Sequence, residues 1–206
     1  MAVKAVIFDL GGVVIDWNPA HLYRKIFNGD HARMDYFLSE ICTPDWNLQQ
    51  DAGRSISDGT ALLVDRYPAW EPEIRAYYDR WLEMVPGPVP GTADVMAELA
   101  KNGMPMCALS NFSRETFNRL DGRFPEFGLF DKIFLSADYR CTKPDQRFYR
   151  IALDEMAHEA ESLVFIDDRP ENVAAAEELG MNSLLFTDAG NLRDSLNALG
   201  LPVMPS

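Results

Sequence analysis

The chain has 206 residues, 47% of them hydrophobic, which is ample for a large buried core and excludes a disordered chain. Its formal net charge is −13, and this acidity argues against nucleic acid and anionic membranes as partners, because both are held by clustered Lys and Arg. A small ligand or another protein remains.

In chain order, Met1 to Phe8 hold one Lys and a short apolar run ending at Asp9, too short and poorly flanked for a signal peptide. Residues 3–8 read as a buried strand, as do 105–109, 133–135, 163–166 and 183–186, each mostly apolar. From Pro19 to Val85 no good strand occurs, only helical stretches at 21–27, 34–41, 56–67 and 72–84, entered through Asn18-Pro19. The Pro- and Gly-rich segment 86–91 reads as a stiff return linker. A helix follows over 92–102, stopped by Gly103, and another opens at Pro170 and ends before Gly180. Strands alternating with helices imply a parallel sheet covered on both faces, an α/β Rossmann-like fold. The expected organisation is a core of residues 1–16 and 86–206 with an α-helical domain of residues 17–85 inserted into it.

The three cysteines, Cys42, Cys107 and Cys141, are far apart and lack Cys-x-x-Cys spacing, so neither a disulfide framework nor a zinc site is expected. No apolar stretch approaches the roughly 18 residues that span a bilayer. The expected compartment is the cytoplasm, and no feature of the chain specifies an oligomeric state.

Ligands of open parallel sheets bind beyond the carboxyl ends of the strands. Four such places carry polar groups: Asp9 after the first strand, Ser110-Asn111 after the second, Lys143-Pro144, and Asp167-Asp168 after the fourth. Singly, each has a plain structural reading, as a turn cap, a helix cap, a solvated lysine and a helix start. Together they form a pattern. Three carboxylates at neighbouring strand ends repel one another unless a cation joins them, and oxygen-only ligands suit Mg²⁺. A hydroxyl, helix N-terminal N–H groups and a Lys ammonium would complete a phosphate site.

These four motifs, in this order, resemble those of the haloacid dehalogenase-like hydrolase superfamily. The resemblance covers nearly the whole chain, and the helical insert looks like the family's small cap. It implies Asp9 as nucleophile through an aspartyl-phosphate, with Ser110 and the backbone N–H of Asn111 on the transferring phosphoryl group and Lys143 neutralising its charge. It implies Mg²⁺ held by Asp9, the Gly11 carbonyl and Asp168, with Asp167 binding directly or through a water. Asn172 would brace Lys143 or the metal site, or be a solvated residue.

One departure stands out: family phosphatases carry a second Asp, the general acid, where this chain has Gly11. A substrate with a good leaving group such as a sugar 1-phosphate, a substitute donor such as Asp16, or a reaction other than phosphate cleavage would each account for it. The expected activity is hydrolysis of a small phosphorylated metabolite, a sugar phosphate by resemblance to the Asp-Leu-Gly-Gly subgroup. The alternatives are a metal-free 2-haloacid dehalogenase and a non-catalytic binding protein. Substrate choice should lie in the insert, where Trp46 could stack on a sugar and Arg54 or Asp51 could bond its hydroxyls, unless Trp46 is simply a core residue. Tyr77, Tyr78 and Trp81 read as packing residues, and the histidines at 21, 31 and 158 as surface residues.

Overall fold

The computed structural model describes residues 3–204. Strand β1 (Ala5–Phe8) lies at the centre of a five-stranded parallel sheet of order β3-β2-β1-β4-β5. Between β1 and the rest come five helices, α1 (Ala20–Ile26), α2 (His31–Tyr36), α3 (Pro44–Asp51), α4 (Ile56–Arg66) and α5 (Glu71–Asp79). The chain then forms α6 (Thr92–Lys101), β2 (Met106–Ser110), α7 (Arg114–Phe117), β3 (Lys132–Leu135), α8 (Ser136–Tyr139) and α9 (Gln146–Met156). It ends with β4 (Leu163–Asp167), α10 (Pro170–Glu177), β5 (Asn182–Leu185) and α11 (Ala189–Ala198). Among the described residues, no helix is long and apolar enough to cross a membrane.

The sheet is buried on both faces because side chains alternate along each strand. Val6, Phe8, Met106, Ala108, Val164 and Ile166 pack into one core, which also holds Val95 and Leu99 of α6 and Leu192 of α11. Ala5, Ile7, Cys107, Leu109, Phe134 and Phe165 pack into the other, against Phe148 and Tyr149 of α9 and Ala176 of α10. After β1 the chain builds β2 and β3 on one side, then crosses to β4 and β5 on the other. That reversal opens a crevice at the carboxyl ends of β1, β2 and β4.

All five expected strands are present, shifted by a residue or two at their ends. The insert differs in detail. The stretch expected as one helix over 34–41 is α2 running into a π-helical turn, Phe37–Ile41, and that over 72–84 breaks after α5 into the 3₁₀ turn Trp81–Met84. Helix α3 lies outside the helical stretches named from the sequence, although Trp46 as a core residue implied a helix here. Its start signal is in the sequence, Thr43 with Pro44 behind it, and Thr43 Oγ1 accepts from the Trp46 N–H at 3.1 Å. Its buried residues are Gln50 and Asp51, so it lacks the apolar stripe by which a helix is recognised.

The two crossings between insert and sheet run side by side, with Asp16 N donating to Gly87 O and Val89 N to Val14 O, both at 2.9 Å. Aromatic side chains fill the insert, including Tyr23, Phe37 and Tyr77. The insert is also pinned to the sheet domain. Ser136 Oγ, fully buried at the start of α8, donates to Asp51 O at 2.5 Å and accepts from Phe112 N at 2.9 Å, and Glu115 accepts from Ile56 N at 2.9 Å. Ser136→Ala would strand a buried N–H and a buried carbonyl across this seam. It should lower stability by about 1–3 kcal/mol in urea denaturation.

Candidate active site

Asp9 follows β1 directly, its N–H donating to Ile166 O at 2.8 Å, so it continues the ladder into the crevice. Its Oδ1 accepts from Leu10 N (2.7 Å) and Ser110 Oγ (2.7 Å) and lies 3.1 Å from Lys143 Nζ. Among the described residues Oδ2 accepts no hydrogen bond. The Lys143 ammonium, with no side-chain exposure, bridges on to Asp167 Oδ2 at 2.6 Å. Asp167 also accepts from Asn172 Nδ2 on both oxygens (2.9 and 3.1 Å) and from Arg169 N at 2.9 Å. Asn172 is thus a buried brace rather than a solvated residue. Asn111 clasps the backbone of Lys143 from both sides, its amide donating to Lys143 O at 2.9 Å and accepting from Lys143 N at 2.8 Å.

Burial pushes the Asp9 carboxyl up to about 6, and Asp167 and Asp168 add to this against the pull of Lys143 and the Ser110 bond. For Lys143, burial acts to strip the proton, but Asp9 and Asp167 overcome it and hold the ammonium above its usual range. Carboxylate oxygens of Asp9, Asp167 and Asp168 lie within 4.8 Å of one another. Three carboxylates against one ammonium leave two negative charges uncompensated. The donor chemistry therefore fits a hard divalent cation.

The structure brings Asp9, Ser110, Asn111, Lys143 and Asp168 to one cavity of about 540 Å³, which Gly11, Gly12 and Arg169 also line. The two glycines differ. Gly12 sits at φ +76°, where a Cβ would meet Asp168 Oδ2 at 2.5 Å, so only glycine lets the loop approach that carboxylate. At Gly11 a Cβ would meet only Trp17 Cβ at 3.9 Å, so sterics do not impose the glycine that replaces an acid there.

The insert closes the cavity with Leu38, Cys42, Leu48, Tyr77 and Trp81, a largely apolar wall, together with Asp45, Asn47 and Asp51. Trp46 and Arg54, expected to touch substrate, are not among the described residues that line it. Trp46 Nε1 donates to Gly59 O at 3.0 Å with its ring edge-on to Tyr77, and Arg54 Nε donates to Gln50 Oε1 at 2.6 Å. Positions 46 and 50, one turn apart on α3, face α4 and α5, which turns 47, 48 and 51 toward the cavity. Tyr77 and Trp81 both pack and line the cavity. Asp16, the substitute acid considered above, pairs with the half-buried His21 at 3.0 Å.

Lys143→Met would leave two carboxylates buried without their counter-ion, and should cost about 3–5 kcal/mol of stability. Because Asp9 is already raised, it takes up a proton readily in that variant, and this proton stabilises the folded state at low pH and is lost as pH rises. The deficit in melting temperature against the parent should therefore be smaller at pH 5 than at pH 8.

Comparison with known proteins agrees with this geometry. A sesquiterpene phosphatase of Aspergillus oryzae is 30% identical over 187 residues, covering 90% of this chain and 91% of its own length. A drimenol cyclase of Aspergillus calidoustus is 36% identical over 206 residues, 97% of this chain but 37% of that protein, so the similarity spans little more than a third of it. An (S)-2-haloacid dehalogenase of Pseudomonas fluorescens is 25% identical, with 95% of this chain and 89% of that protein covered. Among solved structures, that of a predicted HAD-like family hydrolase from Porphyromonas gingivalis superposes with a TM-score of 0.75 at 24% identity, covering 97% of this chain and 98% of the other. Residues 3–180 match the haloacid dehalogenase-like hydrolase family, and the chain belongs to that family.

Proposed function

We propose that the protein is a Mg²⁺-dependent phosphatase that hydrolyses a small phosphorylated metabolite through an aspartyl-phosphate on Asp9. The observation that carries this reading is the clamped Asp9: three donors hold Oδ1, Oδ2 is left for attack, and the surrounding carboxylates call for a divalent cation. Residues 17–85 act as the cap and the remainder as the core.

In the first step Asp9 Oδ2 attacks phosphorus in line with the leaving oxygen; in the second, water hydrolyses the aspartyl-phosphate. Lys143 orients Asp9 and offsets phosphate charge, and Ser110 and the Asn111 N–H hold phosphoryl oxygens once substrate enters. Asp9, the Gly11 carbonyl and Asp168 would hold Mg²⁺, which when bound supplies positive charge against the phosphoryl oxygens. Asp167, which takes donors from Lys143, Asn172 and Arg169, fixes Lys143 and would reach the ion directly or through a water. A dehalogenase would need no cation, and the Asp168 charge would then oppose its carboxylate substrate.

For the organic group, the wall of Leu38, Leu48, Tyr77 and Trp81 supports an apolar alcohol over the sugar expected from sequence, since a sugar needs hydroxyl partners that this wall mostly lacks. The similarity to a sesquiterpene phosphatase supports the same choice. Three buried free thiols suit a reducing, cytoplasmic setting.

The test is a panel of a sesquiterpenyl phosphate, sugar 1- and 6-phosphates and 2-chloropropionate, with Mg²⁺ or with EDTA. Phosphate release should require Mg²⁺, fall to background in Asp9→Asn, and be fastest on the apolar ester. Release that survives EDTA or Asp9→Asn, or chloride release from the haloacid, would refute the reading.

A further inference from the structure

An alkoxide leaving from phosphorus is a strong base, so its departure at neutral pH needs a proton from the enzyme. In-line geometry puts the leaving oxygen on the side of phosphorus away from Asp9, which is the side the insert covers. A proton donor to that oxygen therefore belongs on the insert wall. Cys42 and Tyr77 line that wall, but burial pushes both well above their ordinary ranges, so neither gives up a proton readily. Lys143 lies on the Asp9 side and its ammonium is committed to two carboxylates.

Asp51 remains. It is the last residue of α3, lines the cavity and is 9% exposed. Its carboxyl is held in place by Asn47 Nδ2, 2.8 Å from Oδ2, and by the backbone N–H of Ser113 in the loop after β2. Its carbonyl is fixed by Ser136. The side chain is thus aimed by contacts on both sides of the seam, into the cavity that Asp9 lines from the strand end. We propose that Asp51 is the proton donor to the leaving oxygen, supplied from the insert in place of the acid missing at Gly11; this rests on the phosphatase reading above.

The step balances. As the Asp9 Oδ2–P bond forms, the P–O bond to the alcohol breaks, its electron pair goes to the leaving oxygen, and that oxygen takes the Asp51 proton. In hydrolysis, water forms a new P–O bond and gives a proton to the Asp51 carboxylate, while the pair of the breaking Asp9–P bond returns to Asp9.

The environment of Asp51 agrees. Burial, with a smaller contribution from Asp9 and against the Ser113 bond, pushes it up to about 8, so it carries its proton at neutral pH. Tyr77 and Tyr78 on α5 and Asp9 on the core side act on it electrostatically, and the other titratable and charged groups lining the cavity are Cys42, Asp45, Lys143, Asp168, Arg169 and Glu171.

The experiment compares an alkyl phosphate with 4-nitrophenyl phosphate, whose leaving oxygen needs little protonation, using the full chain in Mg²⁺. Asp51→Asn should lose about 10²–10⁴-fold in kcat/KM on the alkyl ester, and at least tenfold less than that on the nitrophenyl ester. The fall in alkyl-ester turnover as pH rises through about 8 should disappear in the variant. Equal losses on both esters would show a merely structural role and overturn the assignment, as would no loss on either. Should Asp51→Asn not fold, the parent protein decides: dependence of rate on leaving-group basicity should be shallow at pH 7 and steep near pH 9.5, and an unchanged dependence overturns the proposal. A parent protein that releases phosphate from neither ester refutes the phosphatase reading itself, a result separate from these.

Discussion

One buried ammonium governs the architecture of the site. Lys143 lies between Asp9 and Asp167 with no side-chain exposure, and removing it would leave two carboxylates in the interior without their counter-ion. The sheet supplies the geometry. Parallel pairing of β1 with β4, with Phe8 opposite Ile166, sets Asp9 and Asp167 side by side, and pairing of β1 with β2 brings Ser110 to the same end. Lys143 comes from a loop, and the reciprocal amide bonds of Asn111 fix that loop to the end of β2. Strand pairing thus sets the two carboxylates, while the side chains of Ser110, Asn111 and Asn172 hold the triad in place.

The same interaction explains why the site suits a cation. A single ammonium stands against Asp9, Asp167 and Asp168, and the Asp9 carboxyl is raised by burial first and by the two neighbouring carboxylates second. The chain's global acidity and this local cluster are different matters. The first keeps polyanions away, whereas the second, once joined by a divalent ion, turns an acidic crevice into one that accepts phosphate.

Chemistry is divided between the two parts of the chain. The strand ends carry Asp9, Ser110 and Asp167, whereas the insert carries the apolar wall and Asp51. Since Ser113 and Ser136 reach from the core to Asp51, the position of the insert and the placement of that carboxyl are coupled. Closure would then complete the catalytic groups as well as exclude water.

The strands, the parallel sheet and the four motifs were legible in the sequence because they are local: an apolar run of the right length followed by a polar residue is a strand end in a buried sheet. The role of Asn172 was half visible, since a place one helical turn after Asp168 suggests a brace for Lys143 or the metal site but not that it holds both oxygens of Asp167. Trp46 and Arg54 were misplaced because a cluster of functional residue types says nothing of which face of α3 looks inward. Asp51 stood in that same cluster, yet its burial, its clamp by Asn47 and Ser113 and its elevated proton affinity arise from residues 4 to 62 positions away. The sequence by itself determined the fold class, the strand-end chemistry and the family, because periodicity and motif spacing are properties of neighbouring residues. Only the tertiary structure decided what the insert presents to the cavity, because burial, and with it the cost of carrying charge, exists only once distant segments have packed together.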